Sequence, residues 1–114
     1  MKKMELKEAK PYEAPGHFDV STLRLHDKDI SGSDKFIMGI SHFLPGGGCD
    51  MGSTPTEKIY YVISGEITVK TDDGEMVLGP NDSIYIGPGE NRAIINNTNE
   101  PVTMLVVLEP PPKP

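Results

Sequence analysis

Residues 58–71 read Lys58-Ile59-Tyr60-Tyr61-Val62-Ile63-Ser64-Gly65-Glu66-Ile67-Thr68-Val69-Lys70-Thr71, and Asp72-Asp73-Gly74 follows. The segment Lys58 to Ser64 is rich in β-branched and aromatic side chains and apolar in both phases of a two-residue period, which predicts a strand covered on both faces. Glu66 to Thr71 alternates instead, with Ile67 and Val69 predicted inward and Thr68 and Lys70 outward. Asp-Asp-Gly supplies residue types that accept the positive φ of a tight hairpin turn, so a second antiparallel strand should return over Glu75 to Leu78.

Working outward, the same reading predicts strands over His17–Leu25, Phe36–Leu44, Ser83–Ile86, Arg92–Asn97 and Val102–Leu108. Pro80-Asn81-Asp82, Pro88-Gly89 and Asn99-Glu100-Pro101 separate the later ones, and Pro45 with three glycines ends the second. In the first, Phe18 and Val20 share one phase and Leu23 and Leu25 the other, which predicts a bulge or break between them. Short strands at roughly 8 to 12 residue spacing, with no sustained helical period, call for an antiparallel sandwich or barrel. In the last strand Val102, Met104, Val106 and Leu108 occupy one face and Leu105 and Val107 the other. One apolar face suffices for a small barrel. The second is expected to pack on another sheet or another subunit, and a homodimer follows as the expected assembly.

Composition narrows the classes. With 114 residues the chain has room for one domain. Its 12 glycines and 11 prolines favour short elements joined by turns. No apolar run approaches the roughly 18 residues of a bilayer span, so no membrane partner is expected. Met1-Lys2-Lys3-Met4 leads into Glu5, Lys7 and Glu8 with no apolar core of a signal peptide, and a cytoplasmic location is expected. The single Cys49 cannot form an internal disulfide. A net charge of −6 without a basic stripe argues against nucleic acid. The expected organisation is an N-terminal arm over residues 1–16, an all-β barrel over 17–109 and a Pro-rich tail over 110–114.

Two stretches carry a family pattern. Pro45-Gly46-Gly47 with Ile59-Tyr60-Tyr61-Val62-Ile63-Ser64-Gly65-Glu66 frames the first, and Asn81-Asp82, Gly87-Pro88-Gly89 and Asn96 frame the second. Together they resemble the paired motifs of the cupin superfamily, whose members are small jelly-roll β-barrels of antiparallel sheets that commonly hold a metal in the barrel mouth. The likeness runs over about residues 17 to 109. It implies a single-domain cupin barrel in which the family's His, His, Glu and His positions fall on Gly52, Thr54, Lys58 and Arg92. Gly has no donor atom, Thr is a poor neutral ligand, and two cations repel a divalent ion. Neither a metal nor any other cofactor is therefore expected.

By the same resemblance Lys58 and Arg92 project into one cavity, where they replace the charge of the missing ion and make a site for an anion: a carboxylate, a phosphate or a developing enolate. A local pairing with Glu57 or Glu90 is the competing reading. Strand phase adds Tyr60 and Val62 beside Lys58, and Ile94 and Asn96 beside Arg92, while Cys49 lies where the chain turns into the cup. The likeness adds Gly39, Ser41, Met104, Val106 and Leu108 to the floor and walls. The candidate catalytic groups are His42, Tyr60 and Lys58; the candidate binding groups are Arg92, Lys58, Cys49, Ser41, Thr54, Asn96 and Met104. His42 is opposite in phase to Ser41, so the barrel interior and the second face both remain open to it. His17 and His26 read as solvated or interface histidines.

Three functions remain open at this point. One is a metal-independent isomerase, lyase or hydrolase that moves a proton on a small anionic or carbonyl compound. Another is a binding or sensor module that uses the same cations without chemistry. The third is a metal site rebuilt from His42, Cys49 and Glu57.

Overall fold

The computed structural model describes residues 1–112, and the predicted extension of the tail at Lys113 and Pro114 lies outside them. A short 3-10 turn over Leu6–Glu8 precedes β1 (Lys10–Pro11), β2 (His17–His26), the single-turn α1 (Lys28–Ser31), β3 (Ile37–Gly52), β4 (Lys58–Ser64) and β5 (Ile67–Thr71). β6 (Gly74–Leu78), β7 (Ser83–Ile86), β8 (Arg92–Ile95) and β9 (Val102–Leu108) complete the chain. All pairings are antiparallel, in the order β6-β5-β8-β3-β9-β4-β7, with β2 on β3 and β1 on β2. The sheet curls into a nearly closed barrel, as the strand pattern predicts.

β3 joins the two halves of the barrel. Its first part, Ile37 to Phe43, pairs with β9, and its last part, from Gly48, pairs with β8, while β2 accompanies both. The sequence reading ended this strand at Pro45, and the structure corrects it. Pro45 falls in the stretch between Phe43 and Gly48 that has no ladder partner, so its missing N–H costs nothing and the chain bends from one half to the other. Gly48 is required just beyond, because a Cβ there would lie 1.9 Å from the Ile94 carbonyl oxygen. The predicted break in β2 between Val20 and Leu23 is also displaced. Pairing is regular from Val20 to Arg24, and the irregularities lie at either end of that stretch, one at Asp19, which adopts φ 49°, and one between Arg24 and His26. Val20 packs on the core and Leu23 pairs with Ile40, so the phase change marks two apolar faces of one strand.

Phe43, Tyr60, Val62, Ile67, Val69, Ile94, Val102 and Met104 fill the interior. The hairpin closes as read, with Thr71 opposite Gly74 around Asp72-Asp73. Thr68, expected outward, is buried on the outer face, where its hydroxyl accepts a hydrogen bond from the Asn97 amide at 3.3 Å. On β4 the inner residues are buried, whereas Ile59, Tyr61 and Ile63 remain exposed. No described helix is long and apolar enough to cross a membrane.

Candidate functional site

One end of the barrel opens into a cavity of about 540 Å³. β4 contributes Lys58 and Tyr60, β8 contributes Arg92 and Ile94, β9 contributes Met104, Val106 and Leu108, and β3 contributes Ser41, Phe43, Cys49 and Gly52. Alternation along each strand explains the selection: Lys58, Tyr60 and Val62 point inward together, and so do Arg92 and Ile94.

The charged groups are deeply placed. Lys58 is 5% exposed and Arg92 is 8% exposed. Arg92 donates from Nε to the Tyr60 hydroxyl at 2.9 Å and from Nη1 to the Gly52 carbonyl at 3.3 Å. Among the described residues neither cation has an ion-pair partner. Glu57 accepts instead from the Tyr85 hydroxyl at 2.6 Å, and Glu90 accepts from the Gly87 backbone at 2.6 Å. The competing reading, in which these acids neutralise Lys58 and Arg92, is therefore not what the geometry shows. A third cation at the cavity, Arg24, is satisfied differently: it stacks 4.2 Å above the Tyr12 ring and lies 3.9 Å from Asp27.

Burial, reinforced by Arg92, holds the Lys58 ammonium below its usual pKa. Burial raises the Tyr60 phenol despite the opposing pull of Arg92, so at neutral pH its O–H remains a donor while its oxygen accepts from Arg92. Burial also raises the Cys49 thiol, with Arg92 opposing, and its Sγ donates to the Asp50 carbonyl at 3.5 Å. Cys49 is a neutral wall residue here, not a thiolate.

Several anticipated residues converge: Lys58, Arg92, Tyr60, Cys49, Ser41, Thr54 and Met104 all line the cavity. Two do not. His42 lies on the opposite face of β3, half-buried, with Nδ1 3.3 Å from the Thr103 hydroxyl, because successive strand residues face opposite sides and Ser41 takes the inward one. Asn96 is buried just beyond the end of β8, and its amide donates to the Phe43 and Glu100 carbonyls. It ties a loop and does not touch the cavity. Among the anticipated wall residues Gly39 is also set back, packed against the Leu23 carbonyl.

The residues missed include the end of the arm and the start of β2. Tyr12 to Gly16 and His17 line the cavity mouth, held by Tyr12–Thr22 hydrogen bonds in both directions and by β1 on β2. His17 lines the same cavity as both cations, with Nδ1 3.0 Å from the Pro15 carbonyl oxygen.

The donor set does not suit a divalent metal. Gly52, Thr54, Lys58 and Arg92 all line the cavity, and two of them are cations. His42, Cys49 and Glu57 do not converge: the first is on the outer face, the second in the cavity and the third bonded to Tyr85 on the rim. No cluster of three His, Cys, Asp or Glu side chains is assembled among the described residues.

The curled antiparallel barrel with a cavity at one end defines the class, and the chain belongs to the cupin family, whose cupin domain model matches residues 39–108. Among characterised proteins it is 37% identical over 111 residues to β-D-galactosidase Rv1717 of Mycobacterium tuberculosis, covering 97% of this chain and 96% of that one. Two solved structures share the fold. The polyketide cyclase RemF from Streptomyces resistomycificus superposes with a TM-score of 0.86 at 23% identity, over 96% of this chain and 79% of that one. A cupin-superfamily sugar phosphate isomerase from Silicibacter pomeroyi gives 0.80 at 24% identity, over 97% of this chain and 77% of that one.

Proposed function

We propose that this protein is a metal-independent cupin that binds a small anionic or carbonyl compound on Lys58 and Arg92 and transforms it by proton transfer, as an isomerase, lyase or hydrolase. The observation that carries this reading is the burial of two cations in one cavity with no carboxylate on either among the described residues. Two like charges held in an apolar cup are costly in the empty protein, and an anion offsets that cost by supplying the missing partner. Arg92 Nη2 has no hydrogen-bond partner among the described residues, Lys58 contributes a point charge, and the Tyr60 hydroxyl would donate to the same oxygen. Charge that develops on a substrate oxygen during proton abstraction would meet donors already in position. Thermal denaturation with added acetate and inorganic phosphate tests this. A concentration-dependent rise in Tm with at least one of them is expected, and no rise with either overturns the reading.

The β-D-galactosidase named among the relatives favours a second reading, a glycoside as substrate. Glycoside hydrolysis commonly places two carboxyl groups about an oxocarbenium-like transition state. The acids lining this cavity, Glu13 and Asp50, are both exposed at its mouth, and the cations beneath would repel a developing positive charge. Geometry therefore ranks this reading below the anion cup. Release of nitrophenol from 4-nitrophenyl β-D-galactopyranoside, retained in K58M and R92M, would reverse that order.

A further inference from the structure

We propose that His17 is the proton-accepting group of this cavity, and that the compound held on Lys58 and Arg92 is a carboxylate or carbonyl compound presenting an acidic C–H to His17 Nε2. This rests on the anion-cup reading and adds the base that it lacks.

The placement is fixed by backbone. His17 opens β2 directly across from Cys49 of β3, and both line the cavity. Its N–H donates to the Ala14 carbonyl at 3.2 Å, and the Asp50 N–H donates to the Gly16 carbonyl at 2.9 Å, so the turn before it is tied at both ends. Gly16 takes φ 73° in this turn, a conformation that favours glycine.

The tautomer follows from the partner. Nδ1 lies 3.0 Å from the Pro15 carbonyl oxygen, which can only accept, so Nδ1 carries the hydrogen and Nε2 carries the lone pair. A histidine oriented through one nitrogen by a fixed acceptor is arranged to take a proton on the other.

The surrounding charges act in the same direction. Lys58 and Arg92 act on the ring electrostatically from the cavity, Cys49 faces it from β3, and Glu13 and Asp50 lie at the mouth. Burial first, and the two cations after it, hold the imidazole below its ordinary pKa against the bond to Pro15. It is therefore neutral and able to accept at pH 7. An anion seated on the cations offsets their repulsion and raises the proton affinity of the ring, so the base strengthens when its substrate is in place. In the step itself the C–H bond breaks, the proton passes to Nε2, and the electron pair moves onto the oxygen facing Lys58, Arg92 and Tyr60. Return of that proton to a different atom of the same compound completes an isomerisation without any other reactant.

The test uses full-length protein labelled with ¹⁵N, its His17 signals assigned by their absence in H17Q. Imidazole spectra should show the Nδ1–H tautomer at pH 7, and a titration midpoint that moves upward with inorganic phosphate and in R92M. An Nε2–H tautomer, or a midpoint indifferent to both, overturns the proposal. In D₂O the wild type should exchange the methyl hydrogens of pyruvate faster than buffer, and H17Q should lose about 100-fold or more of that acceleration while keeping its Tm rise with phosphate. Equal exchange by the two proteins overturns the role of His17. Absence of a Tm rise with both acetate and phosphate in the wild type would instead remove the anion cup itself, so the two failures are distinguishable.

Discussion

Arg92 donates its Nε hydrogen to the Tyr60 hydroxyl across 2.9 Å, so the phenolic oxygen is an acceptor toward β8 and its own hydrogen is left for the cavity. The pair converts a wall tyrosine into a directed donor and fixes the plane of the guanidinium.

Tyr60→Phe removes the acceptor and leaves a buried N–H of a charged group without its partner. A loss of about 1–3 kcal/mol in unfolding free energy is expected, together with weaker anion binding because Arg92 is no longer held. Urea unfolding of the variant measures the first and a phosphate titration the second. An unchanged midpoint would show that the bond contributes nothing to the fold.

Lys58→Met should act in the opposite sense on the empty protein. It replaces an ammonium that has no ion-pair partner among the described residues with an apolar side chain of similar length, and a gain of about 1–3 kcal/mol is expected. The pH dependence has a definite sign. Because the native pKa of Lys58 lies below the ordinary 10.5, the unfolded chain binds more protons between those two values and stability from this group rises with pH across that interval. That contribution should disappear in the variant, as seen by comparing denaturant midpoints of the two proteins from pH 8 to pH 10.5.

Much of the barrel was legible because its strands advertise themselves locally. Lys58–Ser64, Ser83–Ile86 and Val102–Leu108 have the predicted bounds, since turn residues flank each and side-chain types agree with the period. β3 was read short because Pro45 is a reliable stop within a single sheet, whereas here it marks the crossing between halves. His17 was passed over for a different reason. Its role depends on a two-residue pairing of Lys10 and Pro11 with Arg24 and Leu23, far too short to leave a periodic signal, and on a Pro15 carbonyl whose direction is set by the turn. The spacing Pro15-Gly16-His17 is the only local hint. Asn96 was misplaced by carrying the phase of β8 one residue past its end at Ile95.

A homodimer is expected through the outer face of β4 and β9. Ile59 and Tyr61 there are exposed and stand beside Val107 and Leu105, which makes a contiguous apolar surface. Light scattering at micromolar concentration should report about twice 12.4 kDa, and Tyr61→Lys should shift it toward the monomer. A wild-type particle of 12.4 kDa would contradict this.

Prolonged chelation followed by dialysis is expected to leave both Tm and phosphate binding unchanged, because the cavity presents cations where a divalent ion would need ligands. Elemental analysis showing about one transition metal per chain, removed together with binding, would contradict it.

The central claim is that Lys58 and Arg92 together hold an anion, and thermal denaturation of wild type, K58M and R92M over a range of inorganic phosphate concentrations tests it most directly. The wild type should gain stability with concentration, about 2.7 kcal/mol at 100 times the dissociation constant. Both variants should lose most of that gain, R92M more than K58M because it gives up directed hydrogen bonds as well as charge. Equal phosphate shifts in all three proteins would contradict the account.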